Sequence, residues 1–474
     1  MSVTQNVFIS AIILASVPAT AAVSLPLSQY QQEVRKGNET YRASLLKAEG
    51  AKERGLEGKL LFSPNAFAGF QYTDDRRPTL SSAFQGNQTV IQSYDLGVSQ
   101  QTRFGLNGKL TYTLPHTRVN GASPALVPEN AFYNGAFGLE LSLPLWKNAF
   151  GRQFRWQEQT SLNAALSSYY AEEYTLNLIL MESELRYWRL AIARELVRIQ
   201  EDSYDRALKL SVLQEKRAKQ RLIDTADMLQ ARAALKLREL ELKNAKNEER
   251  LAQKAFNEYR GAYAADPVSP LMLPDPRQVN EFKLPLRNSM RNDVAAAQMA
   301  VNASILNAEL SRDRLLPSLD VFANTSWNGR SPQFSAAASQ SFSTDHPLYS
   351  LGIRLSVPLD IGTTSGVREG YQKEKVGAEL AFQRKIEEQE NDWTDLVQKF
   401  EDGKERLRVV LELEDAQRMK LQAERERFSQ GRSTTYQLFL FEQEYLGAQL
   451  SRVQTLSQVL SLRAQMNTFR KESL

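Results

Sequence analysis

The sequence predicts an α+β membrane protein built from two internal repeats, in which pairs of half-buried strands alternate with long antiparallel helical hairpins. Three observations predict it. One strand motif occurs twice, as Phe137-Gly-Leu-Glu-Leu-Ser-Leu-Pro-Leu145 and Leu351-Gly-Ile-Arg-Leu-Ser-Val-Pro-Leu359. Both copies alternate apolar and polar residues with period two, as a strand with one apolar face does. Both lead through a Gly-containing turn into a polar, proline-free stretch, 152–219 and 367–429. About 65 residues at 1.5 Å each make a helix of roughly 100 Å.

The elements follow in chain order. Residues 8–17 are apolar, and Ala19-Thr20-Ala21 follows Pro18 as a small-x-small pattern. The run is shorter than the roughly 20 residues a bilayer span needs. It predicts a signal peptide over 1–21, cut after Ala21 or Ala22, although no Lys or Arg precedes Phe8. No other run is apolar enough for a spanning helix, so an exported chain that crosses a membrane must do so as a closed barrel.

The first repeat is expected over 22–262. Its strand pair lies at about 59–73 and 135–145, and its helical hairpin at about 152–262. Residues 263–284, with Pro267, Pro270, Pro274 and Pro276, read as a linker. The second repeat follows over 285–474, with strands at about 317–327 and 350–358 and a hairpin at about 367–471. Two further matches support the duplication. Leu60–Ala68 aligns with Leu315–Ala323, and Gln220–Leu229 aligns with Gln430–Phe439. The last pair sets the hairpin turns. Phe439, Leu446, Val453 and Leu460 recur every seven residues beyond the second turn, as a coiled-coil seam requires.

Two well-matched strands per repeat cannot close a sheet, so partner chains are needed. Pro144 and Pro358 are the expected strand–helix junctions, since proline cannot continue a ladder. Region 74–133 belongs to the first repeat only. It reads either as an enlarged surface loop containing a hairpin or as additional barrel strands; its counterpart, about 328–347, is Ser-rich and loop-like. Tyr72, Trp146 and Trp327 near strand ends suit interfacial girdles or simple packing.

Composition narrows the function. The formal net charge of +4 on 474 residues gives no basic surface for nucleic acid. There is no cysteine and only two histidines, His116 and His346, which excludes thiol chemistry and leaves little for a triad or a histidine metal site. No enzyme activity, metal or cofactor is expected. Charged residues along the helices, such as Glu239, Lys243 and Glu248, read as a solvated face.

The Leu-Ser-x-Pro-Leu strand exits, Arg291–Gln298 leading into Leu316-Pro-Ser-Leu319, and the turn Phe428–Thr434 together resemble the TolC-like outer-membrane efflux protein family over nearly the whole mature chain. The resemblance implies a homotrimer. Each chain would give two strands per half to a shared twelve-stranded barrel in the outer membrane, and the helices would form a periplasmic α-barrel. It implies a bacterial outer-membrane exit duct of a tripartite efflux or type I secretion system. The partners would be a periplasmic adaptor, an inner-membrane transporter of RND, ABC or MFS type, and outer-membrane lipid. The rival is a trimeric outer-membrane-anchored coiled coil with a structural or adhesive role.

The resemblance also places a periplasmic gate at the hairpin turns, near 220–228 and 430–438. The gate candidates are Asp224, Asp227, Arg432, Tyr436, Gln437 and Leu440. Asp227 with Arg432 or Tyr436 would latch neighbouring hairpins, because parting a partly buried pair strands a charge; Asp224 and Asp227 could equally serve the helix start. Gln437 and Leu440 stand where relatives often carry aspartates, so an acidic ring is not expected there. Leu440 and Phe439 give either an apolar constriction or, for Phe439, part of the seam. Lys219, Gln220, Arg221, Leu222, Gln430 and Gly431 are the expected adaptor-docking tips. Gly431 suits a positive φ, and Arg221 in the same place implies a different geometry for the first turn.

Overall fold

The computed structural model describes residues 24–470; the expected signal peptide lies outside them. The elements in order are α1 (Leu27–Gly37), α2 (Glu39–Arg54), β1 (Asn65–Asp75), α3 (Ser82–Gln85), β2 (Gln88–Gln101), β3 (Asn107–Thr113), β4 (His116–Asn120), β5 (Ala131–Pro144), α4 (Arg152–Lys219), α5 (Thr225–Tyr259), α6 (Asn292–Arg314), β6 (Ser318–Ser331), α7 (Phe334–Gln340), β7 (Pro347–Ser356), α8 (Ile361–Ser429) and α9 (Thr435–Met466). No helix among the described residues is long and apolar enough to cross a membrane.

The chain divides into two compact units, each drawing on both repeats. The first comprises the described residues up to Ala43, Leu176–Asn288, and Asp392 onward. It is helical, and its core forms where the four long helices pair. Leu190, Ile199, Phe400, Leu407, Leu456 and Leu460 are fully or almost fully buried there. Leu446, Val453 and Leu460 of the expected heptad are buried, so the seam exists. Tyr30 on α1 stacks on Phe256 of α5 at 4.0 Å between ring centroids, and its hydroxyl donates to the Phe256 carbonyl. Tyr187 on α4 donates to the Leu25 carbonyl at 2.7 Å and accepts from the Met272 amide at 2.9 Å. The proline-rich linker is thereby fastened to the helices.

The second unit, Ser44–Thr175 and Ser289–Asn391, holds one antiparallel sheet. The strand order is β1-β2-β3-β5-β6-β7, with β4 also pairing β2 and β5. β3 and β4 are one strand path broken at Pro115. Both lie between β2 and β5, and Pro115 still accepts from the Asn134 amide. The path is therefore six strands wide.

Several expectations change. The first strand begins at Asn65, because Glu57–Phe62 is a 3-10 turn. Two strands per half is wrong for the first half. Region 74–133 adds β2, β3 and β4 to the sheet, inserted between β1 and β5. The loop-like stretch 328–347 lengthens β6 to Ser331 and forms the short α7. The amide-bonded ladder of β5 reaches Pro144, whereas β7 stops at Ser356, short of Pro358.

Candidate functional site

The sheet has one apolar and one polar face, set by period-two alternation on every strand. The registers place Ala66, Ala68 and Phe70 of β1 beside Val98, Leu96 and Tyr94 of β2. Leu96 and Val98 lie beside Tyr112 and Leu110 of β3, which face Phe137 and Leu139 of β5. The row continues through Trp327, Ala323 and Val321 of β6 to Leu351 and Ile353 of β7. Much of it is bare: Phe70 is 62% exposed, Leu351 79% and Ile353 72%. A contiguous apolar face of this extent is what a surface covered by something other than water shows.

Each of the six strands of the path also brings an aromatic to this face, among them Phe70, Tyr94, Tyr112, Phe137, Trp327 and Tyr349. Phe70 lies 5.1 Å from Tyr94, and Phe137 lies 5.9 Å from Trp327. Phe342, from the α7–β7 connection, stacks on Tyr112 at 5.4 Å. Trp327 belongs to this row and lies within β6, four residues before its end. Tyr72 lies two residues beyond Phe70 on the same face, and Trp146 lies past the end of β5.

The opposite face is polar. A cavity of about 520 Å³ on it is lined by Asn65, Ser99, Lys109, Glu140, Asp320 and Arg354, one from each strand of the path. Lys109 and Glu140 form an ion pair at 3.7 Å. Two matching devices stiffen this face. The Phe67 ring lies over Gly97 and the Phe322 ring over Gly352, where any Cβ would collide with them. Lys109 and Arg354 then cover those rings at 5.4 and 5.3 Å, at cation–π distance.

The turn from β5 into α4 is pinned by Asp313 at the end of α6. This nearly inaccessible carboxylate accepts from the Asn148 amide at 2.7 Å and from Gln153 Nε2 at 2.8 Å, and it pairs with Arg152. Asn148 and Phe150 are held there at φ 57° and 49°. The β2–β3 turn meets the same corner, with Arg103 pairing with Glu158 at 2.6 Å. The sheet margin carrying that turn is thus the margin from which the helix departs.

The two hairpin turns have one geometry, contrary to the sequence expectation. Arg221 adopts φ 58°, as Gly431 adopts 75°. In the first turn the Leu222 amide donates to the Arg217 carbonyl and the Arg221 amide to the Ala218 carbonyl. In the second, Arg432 donates to Arg427 and Gly431 to Phe428. Both are the paired C-terminal closure in which a left-handed residue ends the helix. Lys219, Gln220, Arg221, Leu222, Gln430, Gly431 and Arg432 are all exposed.

Asp224 occupies the cap position of α5 without a side-chain hydrogen bond, and Asp227 lies in that helix's first turn. Thr434 caps α9 by accepting from the Gln437 amide at 3.2 Å. Tyr436 is 62% exposed, and Leu440 is at the margin of exposure. Among the described residues no hydrogen bond or ion pair joins Asp227 to Arg432 or Tyr436 within one chain.

The structure brings together residues the sequence did not single out. Glu442 of α9 accepts from Arg206 of α4 at 2.9 Å and also pairs with Arg425 of α8. Arg452 of α9 bridges Glu195 of α4 at 3.0 Å and Glu414 of α8 at 2.6 Å. Burial pushes the Glu195 carboxyl up, but donation from Arg198 and Arg452 outweighs it and holds the group below its usual range. Gln214 of α4 donates to Thr435 at 2.6 Å in a buried position. These contacts clasp the two hairpins of one chain. Their only sequence signal is charge at positions flanking the apolar seam, and it does not distinguish them from solvated neighbours.

No family model matches the chain, and no curated protein matches its sequence. Solved structures do match its fold. The outer membrane protein VceC of Vibrio cholerae matches with a TM-score of 0.66 at 14% identity, over 94% of this chain and 95% of that one. The CmeC outer membrane channel of Campylobacter jejuni matches at 0.67 and 14% identity, over 94% and 85%. The open-state MtrE outer membrane channel of Neisseria gonorrhoeae matches at 0.61 and 14% identity, over 92% and 88%. The chain has the fold of TolC-like outer-membrane channels, as the strand exits and hairpin turns led us to expect.

Proposed function

We propose that this protein is a bacterial outer-membrane exit duct, acting as a homotrimer with a large periplasmic portion. In this reading the sheet lies in the membrane with its apolar face toward lipid and its polar face toward a water-filled lumen. The single observation that carries it is the two-faced sheet with both margins open. Among the described residues β1 pairs only with β2, and β7 only with β6. Unpaired backbone groups in lipid cost several kcal/mol each, so such a sheet is tolerable there only when other copies complete it. The fold shared with outer membrane channels supports the same reading.

The duct would receive its cargo from a periplasmic adaptor and an inner-membrane transporter, in a tripartite efflux or type I secretion assembly. The exposed turns at 219–222 and 430–432 present the docking residues. The gate is formed where the turns of neighbouring copies meet, with Asp227 of one copy against Arg432 or Tyr436 of the next. Planar-bilayer recording tests it. The purified protein should give discrete channels, and Asp227→Ala combined with Arg432→Ala should raise single-channel conductance several-fold. Absence of channels would overturn the duct, and unchanged conductance would overturn the latch.

A further inference from the structure

We propose that the membrane barrel has eighteen strands, six from each of three copies, with β1 of each copy pairing antiparallel to β7 of the next. The proposal rests on the trimeric duct above and changes its strand count from the expected twelve. The inserted strands β2, β3 and β4 are the ground for it.

Three features show that the inserted hairpin is a membrane element rather than a surface excursion. First, β2 and β3 carry the same outward apolar row as their neighbours, each with an aromatic in it: Tyr94, Leu96 and Val98, then Leu110 and Tyr112. Second, β2 repeats the pattern of the edge strand β7. Tyr94-Asp-Leu-Gly-Val98 matches Tyr349-Ser-Leu-Gly-Ile353, and the glycine in each lies under a phenylalanine ring from the strand before it, Phe67 or Phe322. β1–β2 is therefore built like β6–β7, so the inserted β2 has the build of a barrel strand. Third, the addition is internal to the ladder. β1 pairs with β2 over eleven residues and has no pairing with β5. Lifting the hairpin out would leave β1 and β5 as two new open edges in lipid.

The outer margins fit each other. β1 has 11 residues and β7 has 10. An even number of strands in the path makes the two run antiparallel, as a closed barrel of identical copies requires. Six strands alone are too few, since the narrowest membrane barrels have about eight. With strands about 4.8 Å apart and tilted by about 40°, eighteen give a backbone diameter of about 36 Å, against about 24 Å for twelve. The lumen at the outer membrane would be wide enough that the hairpin turns, not the barrel, restrict passage.

Electron cryomicroscopy of the detergent-purified protein tests this directly. A threefold particle with eighteen strands and a β1–β7 seam is expected. A threefold particle with twelve membrane strands would overturn the strand count and leave the duct intact. A particle that is not threefold, or that has no lumen, would overturn both. The cysteine-free sequence allows a second measurement. Outward positions on β1 (Ala66, Ala68, Phe70) and β7 (Tyr349, Leu351, Ile353) are changed to cysteine in all nine pairwise combinations, beginning with Ala68→Cys plus Leu351→Cys. At least one double variant should yield covalent dimers and trimers on oxidation, where each single variant yields none. No cross-linking in any of the nine would overturn the seam.

Discussion

The two hairpin turns follow the same backbone path and differ in nearly everything that holds it. The second closes on Gly431, which takes a positive φ without a Cβ penalty; the first forces Arg221 into the same region. The second helix start has Thr434 bonded to the Gln437 amide, whereas Asp224 makes no such bond. Behind the second turn Leu421, Phe428 and Leu438 form a buried cluster, with Leu210, Phe441 and Tyr445 packed against it. The corresponding first-turn positions are Ser211, Ala218 and Met228. Glu424, 2% exposed and bonded to Ser433, has Gln214 as its counterpart. A shared geometry therefore hides unequal stability. The first turn is the softer of the two, and any opening that moves a turn costs less there.

That contrast can be broken most sharply in the cluster. Leu438→Ala should cost about 2–5 kcal/mol locally, and Met228→Ala no more than about 1.5 kcal/mol. Amide hydrogen exchange over 428–440 and 218–230 would show it, and equal losses would mean that the two turns are packed alike. Next comes the clasp. Glu442→Ala leaves the partly buried Arg206 without its carboxylate and should cost about 1–2 kcal/mol, read as faster exchange in α9. At the helix starts, Thr434→Ala should cost about 1 kcal/mol and Asp224→Ala only about 0.3 kcal/mol from the helix dipole, read in the same exchange experiment. Effects of similar size are expected at the left-handed residues. Arg221→Gly should stabilise its turn by about 0.5 kcal/mol, and Gly431→Ala should weaken its own by about 1 kcal/mol. If Arg221→Gly gives no gain, the turn is not strained.

Much of this was legible because period two and period seven are strong signals wherever one face is apolar. The strands around Leu139 and Leu355, the long helices, the turn positions and the heptad from Leu446 to Leu460 all came from pattern alone. β2 and β3 were left open for a specific reason. The duplication marks only strands present in both halves, and the added hairpin has no partner in the second half. Its signal was nevertheless present, in Tyr94-Asp-Leu-Gly-Val98 against Tyr349-Ser-Leu-Gly-Ile353. Residue preference alone points to a different turn at Arg221, whereas the helix ends and their carbonyls decide the geometry and the arginine bears the strain. Glu442, Arg206 and Arg452 were invisible because an ion pair between helices depends on rotation about four axes, which no single-helix pattern contains.

The open margins of the sheet also bear on how the protein comes into being. In the proposed trimer a newly made chain carries about ten residues of unsatisfied strand along each side, attached to a bare greasy surface, until the copies that complete its sheet arrive. Such material sticks to any extended peptide it meets. On the proposed trimeric reading, its production should depend on holding chaperones and on how many sister chains are present at once.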